Sequence, residues 1–118
     1  MSEKKYIFAN WKMYLGYEES MALASAIASQ PDISANINMA IFPSALSAVE
    51  VTKILARTGI ATGAQNVHWV DKGGYTGEVS AHMYKAIGCE YALVGHSERR
   101  HLFHETNHEV RQKVDAIL

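Results

Sequence analysis

Four short strand-like runs, Tyr6–Ala9, Met39–Phe42, Ile60–Asn66 and Tyr91–Val94, alternate with segments of helical spacing, and this alternation constrains the fold more than any other feature. Tyr6–Ala9 ends in Asn10 and Trp11, the pattern of a strand buried on both faces. Tyr17–Ser29 carries Glu18 and Glu19 in its first turn, with Met21, Leu23, Ala24 and Ile27 behind them, and Pro31 stops it. A second helix is expected from Ser44 or Ser47 to Thr58, with Val51, Ile54 and Leu55 at helical spacing and Gly59 at its C-terminal cap. Ser80 is placed to cap a short helix that ends at Gly88. Thr106 and Glu109 form a capping box ahead of a last helix, whose apolar stripe is Val110, Val114 and Ile117. Strand and helix alternating four times predict a parallel sheet with right-handed crossovers.

Such a sheet poses a problem of closure. With helices on one side only, four parallel strands make an open arc with two unpaired edges and an exposed apolar concavity. Either helices cover both faces, as in a doubly wound sheet, or something outside the chain completes the fold. The 118 residues suit one small domain, and 48% apolar against 19% charged residues is a globular balance. Eleven basic residues against twelve acidic ones leave no surplus for a phosphate backbone, so a nucleic-acid partner is not expected. The lone Cys89 has no intrachain disulfide partner. The longest apolar candidate, Met21–Ala28, is far short of the ~20 residues that cross a bilayer. With no leader pattern at the N-terminus either, the expected compartment is the cytoplasm.

In parallel α/β folds functional groups gather beyond the C-terminal ends of the strands. Those positions hold Asn10 and Lys12, Ser44, Gln65 and Asn66, and His96, Ser97 and Glu98. An ammonium, an amide, an imidazole and a carboxylate on one rim suit an anionic substrate with a carbonyl to polarise. Each of these residues is equally compatible with merely ending a strand.

Asn10-Trp11-Lys12-Met13, Gly63-Ala64-Gln65-Asn66, Tyr75-Thr76-Gly77-Glu78 and Gly95-His96-Ser97-Glu98-Arg99-Arg100 together resemble, in order and spacing, the motifs of the triosephosphate isomerase family. The resemblance covers the whole chain. It implies a fold class of α/β type, the (βα)4 half of a TIM barrel, residues 1–118 being one incomplete N-terminal half-barrel. It also implies the family's known chemistry: isomerisation of dihydroxyacetone phosphate and glyceraldehyde 3-phosphate through an enediol, in glycolysis and gluconeogenesis, with no metal or organic cofactor. Carried over by motif, Lys12 binds substrate and acts in catalysis, Asn10 holds a substrate oxygen, and His96 is a neutral electrophile. The Ser97–Arg100 turn would disfavour an imidazolium through its positive N-terminal end. Glu98 and Ser97 are supporting residues, and Arg99 and Glu78 are placed to pair across loops.

The family's glutamate base, its mobile lid and its phosphate cradle have no counterpart in the sequence. The resemblance therefore implies a complementary C-terminal half chain that supplies them, the isolated chain being inactive. The alternative is an inactive fragment or a self-associating scaffold. It further implies homodimerisation through the Gly73–Glu78 loop (Tyr75, Thr76, Gly77 and Glu78, with Arg99), received near Asn10–Tyr14 of a neighbour. Tyr14, Phe42-Pro43-Ser44, Tyr75 and His104 depart from the usual family pattern and bear on loop packing.

His104-Glu105-Thr106-Asn107-His108 matches H-E-x-x-H, with His101 as a third candidate ligand. The capping box starts a helix inside the motif, whereas a zinc site needs both histidines on one continuous helix, so no metal site is expected. His68 and His82 read as loop and helix-surface histidines, Trp11 and Trp69 as packing or interface residues, and Leu46, Val49, Leu55 and Met83 as helix packing.

Overall fold

A computed structural model describes residues 3–31 and 35–118. The strands β1 (Lys5–Asn10), β2 (Ile37–Phe42), β3 (Ala61–Ala64) and β4 (Tyr91–Ala92) form one parallel sheet in sequence order. The helices are α1 (Tyr17–Ala28), α2 (Ala48–Leu55), α3 (Ala81–Ala86), α4 (Ser97–Leu102) and α5 (Asn107–Ile117). α1, α2 and α3 supply the crossovers that parallel pairing requires, and α4 and α5 follow β4.

Two apolar clusters join helices to the sheet. Ala24 of α1 meets Ile41 of β2 and Val51 and Leu55 of α2, with Ile60 at the entry to β3. Ala48, Ala64, Val67, Tyr84 and Cys89 join α2, β3 and α3 in the second. The opposite face is curled. The Phe8 and Tyr91 rings lie 5.1 Å apart although β2 and β3 separate their strands, which would stand ~14 Å apart in a flat sheet. Phe42 packs between them, 5.6 Å from Phe8 and 6.5 Å from Tyr91. Gly63 makes this possible, because a Cβ there would sit 2.4 Å from the Phe42 ring and 2.9 Å from the Tyr91 carbonyl. The radius of gyration is 14.8 Å, above the ~13.5 Å of a closed domain this long, as befits a half-barrel with both edges open.

Several local expectations need correction. β1 is not covered on both faces: Tyr6, Ile7 and Phe8 are exposed because it is an edge strand with no neighbour beyond it. The second helix begins only at Ala48, after a turn from Ser44, and ends at Leu55, with Gly59 at φ +78° beyond. The third and fourth strands shorten to Ala61–Ala64 and Tyr91–Ala92, the latter having a neighbour on one side alone. Ser97–Arg100 is part of the helix α4. Leu55 is buried as expected, but Leu23, Leu46, Val49 and Met83 are exposed, Leu46 by 87%, because periodicity does not say which face meets a partner. On α5 the buried position is Lys113 rather than any of the three stripe residues. The α5 capping box forms as read, Thr106 Oγ1 accepting from the Glu109 N–H while Glu109 accepts from the Thr106 N–H.

Candidate active site

The chain leaves β1 through a strained turn. Lys12 adopts φ +53°, a left-handed conformation that costs a non-glycine residue about 1 kcal/mol or more unless its surroundings hold it there. Two side chains do so: Asn10 Oδ1 accepts the Lys12 N–H at 2.9 Å, and Gln65, just past β3, donates to the Lys12 carbonyl at 2.9 Å. The same Gln65 amide donates to the Phe42 carbonyl at 2.9 Å, tying the ends of β1, β2 and β3 together. The Lys12 side chain then reaches Glu98 on α4, with 2.6 Å between Nζ and Oε1. Glu98, through its hydrogen bond and charge, holds the Lys12 ammonium above its usual range, and the hydrogen bond from Lys12 holds the Glu98 carboxyl below its own.

His96 caps α4 with its ring. Nδ1 accepts the Glu98 N–H at 3.1 Å, so the hydrogen-bond pattern assigns the ring proton of the neutral imidazole to Nε2. The ring is thereby oriented with its Nε2 donor left for a ligand. Asn10, Lys12, His96 and Glu98 stand at or beyond the C-terminal ends of β1 and β4, all four half-buried and linked by the contacts just described. Ser97 opens α4 and is exposed.

The loop carrying Tyr75, Thr76, Gly77 and Glu78 is exposed throughout. His68 is its anchor, and it is not the surface loop histidine expected: only 8% exposed, it stacks on Trp69 at 4.2 Å and on Tyr75 at 4.4 Å. Its Nδ1 lies 3.7 Å from Glu78 Oε1. Arg99 is engaged elsewhere, by Glu105 at 3.5 Å and over the Phe103 ring at 5.3 Å, so the pairing of Arg99 with Glu78 is not formed within the chain. Trp11 packs on the first core cluster and His82 is exposed on α3, as read from sequence.

Sequence reasoning missed a buried polar group behind the rim. Lys113 Nζ meets Glu105 Oε1 and donates to Asn66 Oδ1 at 2.7 Å, while Glu105 Oε2 accepts the Gly95 N–H at 3.1 Å. Burial pushes the Glu105 carboxyl up, but the hydrogen bond and charge of Lys113, aided by Arg99, outweigh it and hold the carboxyl below its ordinary value. The only signal in the sequence was a lysine between Val110 and Val114 on the expected apolar stripe. Glu105 is thus committed to Lys113, and His104, at φ +58°, lies before α5 begins at Asn107, off the helix that carries His108. Among the described residues no group of three or more His, Cys, Asp or Glu is arranged to hold a metal ion, and no helix is long and apolar enough to cross a membrane. A cavity of about 880 Å³ lies away from these groups, along the open edge of β4, between α3 and the end of α5.

A family model described as triosephosphate isomerase matches residues 5–118. Among curated proteins, the chain is similar to the triosephosphate isomerase of Chlorobium luteolum, 43% identical over 116 residues, and to that of Cytophaga hutchinsonii, 41% identical over 117. Each match covers 98% of this chain and 46% of the relative. The Francisella tularensis subsp. mediasiatica triosephosphate isomerase is 40% identical over 115 residues, covering 98% of this chain and 45% of its own length. The chain spans about half the length of the curated relatives it matches.

Proposed function

The chain belongs to the triosephosphate isomerase family, and from that premise we propose that it supplies the charge-stabilising half of a site that interconverts dihydroxyacetone phosphate and glyceraldehyde 3-phosphate. The observation that carries this reading is the imidazole of His96, bonded at Nδ1 and left with its donor at Nε2, on the same rim as the Lys12 ammonium. The Lys12 charge draws in the phosphate-bearing substrate. Asn10, whose Oδ1 is occupied by the Lys12 N–H, keeps its NH2 for a substrate oxygen. His96 donates from Nε2 to the carbonyl oxygen. As a carboxylate base takes the proton from the adjacent carbon, negative charge grows on that oxygen, and the donor is worth more in the transition state than in the ground state. A neutral imidazole gives its Nε2 proton to that oxygen as the enediol forms and regains one from the neighbouring hydroxyl. The carboxylic acid delivers its proton to the other carbon, so the cycle closes without metal or organic cofactor.

The base, the lid and the phosphate cradle belong, on this reading, to a complementary C-terminal half-barrel. Two observations support that: the match spans about half of each relative, and β1 and β4 both offer an open edge. Glu98 does not serve as the base, since it is paired with Lys12. Dimerisation through the Gly73–Glu78 loop is part of the same proposal, with Met13 and Tyr14, 95% and 81% exposed, as the surface that receives it. The setting is cytoplasmic glycolysis and gluconeogenesis.

The test is complementation. The chain is co-folded with the C-terminal half of the Chlorobium luteolum relative, and isomerase turnover is measured for each part and for the mixture. Turnover in the mixture alone is expected, lost on His96→Asn or Lys12→Met. Robust turnover by the chain alone would sink the division of labour, and a folded, inert mixture would favour a scaffold.

A further inference from the structure

We propose that Glu105 and Lys113 are positioning residues: a buried brace that holds His96 and Lys12 in a fixed relation across the mouth of the sheet. The inference rests on the reading that those two groups act on one substrate. Lys113 is 2% exposed and Glu105 6%, and two charges brought out of water add little to stability once their desolvation is counted, whereas apolar residues of the same size often do as well or better. What distinguishes this pair is where its ends attach.

Lys113 reaches Asn66, which directly follows the Gln65 that holds the Lys12 carbonyl. Glu105 accepts the N–H of Gly95, which directly precedes His96. Gly95 is gripped on its other side as well, its carbonyl accepting from Arg100 Nε at 2.9 Å. It sits at φ +65°, where a Cβ would fall 2.9 Å from Arg100 Nη2. The backbone that launches His96 into its capping position is therefore pinned at both atoms, and one pin is the brace. One cation on α5 thus connects the end of β3, and through it Lys12, with the end of β4, and through it His96. Groups behind a site that orient those in front of it are known to matter nearly as much as the front groups themselves.

The test uses isotope-labelled protein and does not depend on turnover. The double variant Glu105→Leu with Lys113→Met removes both charges of the pair, so neither is left buried without the other, and only the part-exposed Arg99 loses its contact with Glu105. Long-range proton–nitrogen NMR reports the two His96 ring nitrogens, and amide exchange reports the Glu98 N–H that bonds Nδ1. We expect the ring nitrogens to lose their distinct donor and acceptor shifts and the Glu98 amide to exchange ~10-fold faster, with the β2 amides unchanged. Asn66→Ala leaves both charges paired and so tests the other arm without risk to the core; the Lys12 amide, bonded to Asn10, should exchange faster while His96 keeps its shifts. A folded double variant with the parent His96 shifts and Glu98 exchange rate overturns the brace, as does a Lys12 amide unmoved by Asn66→Ala, whereas a pair that only stabilised the fold would shift the denaturation midpoint alone. Absence of turnover with these signals behaving as expected would count against the isomerase reading and leave the brace standing.

Discussion

The Lys12 ammonium and the Glu98 carboxylate, from the ends of the first and fourth strands, meet at 2.6 Å, and each moves the other's protonation in the direction that keeps both charged. Removing the lysine tests that coupling. In Lys12→Met the Glu98 carboxyl, followed by carbon NMR, should titrate closer to the ordinary value of 4.5, and an unmoved titration would show that another group sets it.

Lys12→Gly separates strain from function at one position. Glycine accepts φ +53° without penalty, so the variant should gain about 1 kcal/mol in urea denaturation, less whatever the exposed ion pair contributed. It should also lose affinity for inorganic phosphate in calorimetry. Loss of stability together with affinity would mean that the turn is not strained.

Acid should act through Glu105. Its folded carboxyl is held below the ordinary 4.5, so as pH falls the unfolded chain takes up the proton first, and stability declines. The contribution is whole above 4.5 and disappears as pH drops through the depressed folded value. Urea midpoints measured from pH 6 downward should fall more steeply in the parent than in the double variant Glu105→Leu with Lys113→Met; parallel curves would contradict it.

Gly63→Ala places a methyl group 2.4 Å from the Phe42 ring, which is itself enclosed by Phe8 and Tyr91. Overpacking of this kind costs ~1–3 kcal/mol. The thermal midpoint should drop accordingly, and a companion Phe42→Leu should recover part of it.

Removal of Gly74–Gly77 takes out Tyr75, whose ring packs on His68, together with the exposed residues beside it. Sedimentation should then report a species of half the parent mass. An unchanged mass would overturn dimerisation through this loop.

Much of this architecture is legible in the sequence because capping residues punctuate it: Ser80, Thr106 and Glu109 each begin an element where expected, while Gly59 takes the positive φ expected of it but lies beyond the end of α2 at Leu55. The rim was legible for a different reason, since the end of a parallel strand is a fixed place. Less visible was anything decided by a distant partner. Helical spacing put Val110, Val114 and Ile117 inward, yet the deepest residue of α5 is Lys113, tolerated only because Glu105 arrives from the preceding loop and Asn66 from the loop after β3. His68 likewise looked solvated until Trp69 and Tyr75 closed over it. Leu46 and Tyr6 stand exposed for the converse reason, apolar positions with no neighbour to meet.

The rings of Phe8, Phe42 and Tyr91 also set terms for whatever closes the sheet. They already occupy the middle of the concavity, with Phe42 almost wholly enclosed, and barrel interiors are packed to crystalline density with each level shared among alternate strands. An opposing surface must therefore be recessed at that height, its inward residues small where these are large. Shape would act as a lock: a half-barrel with its own bulky layer at the same level could align its strands with both open edges and still be unable to shut.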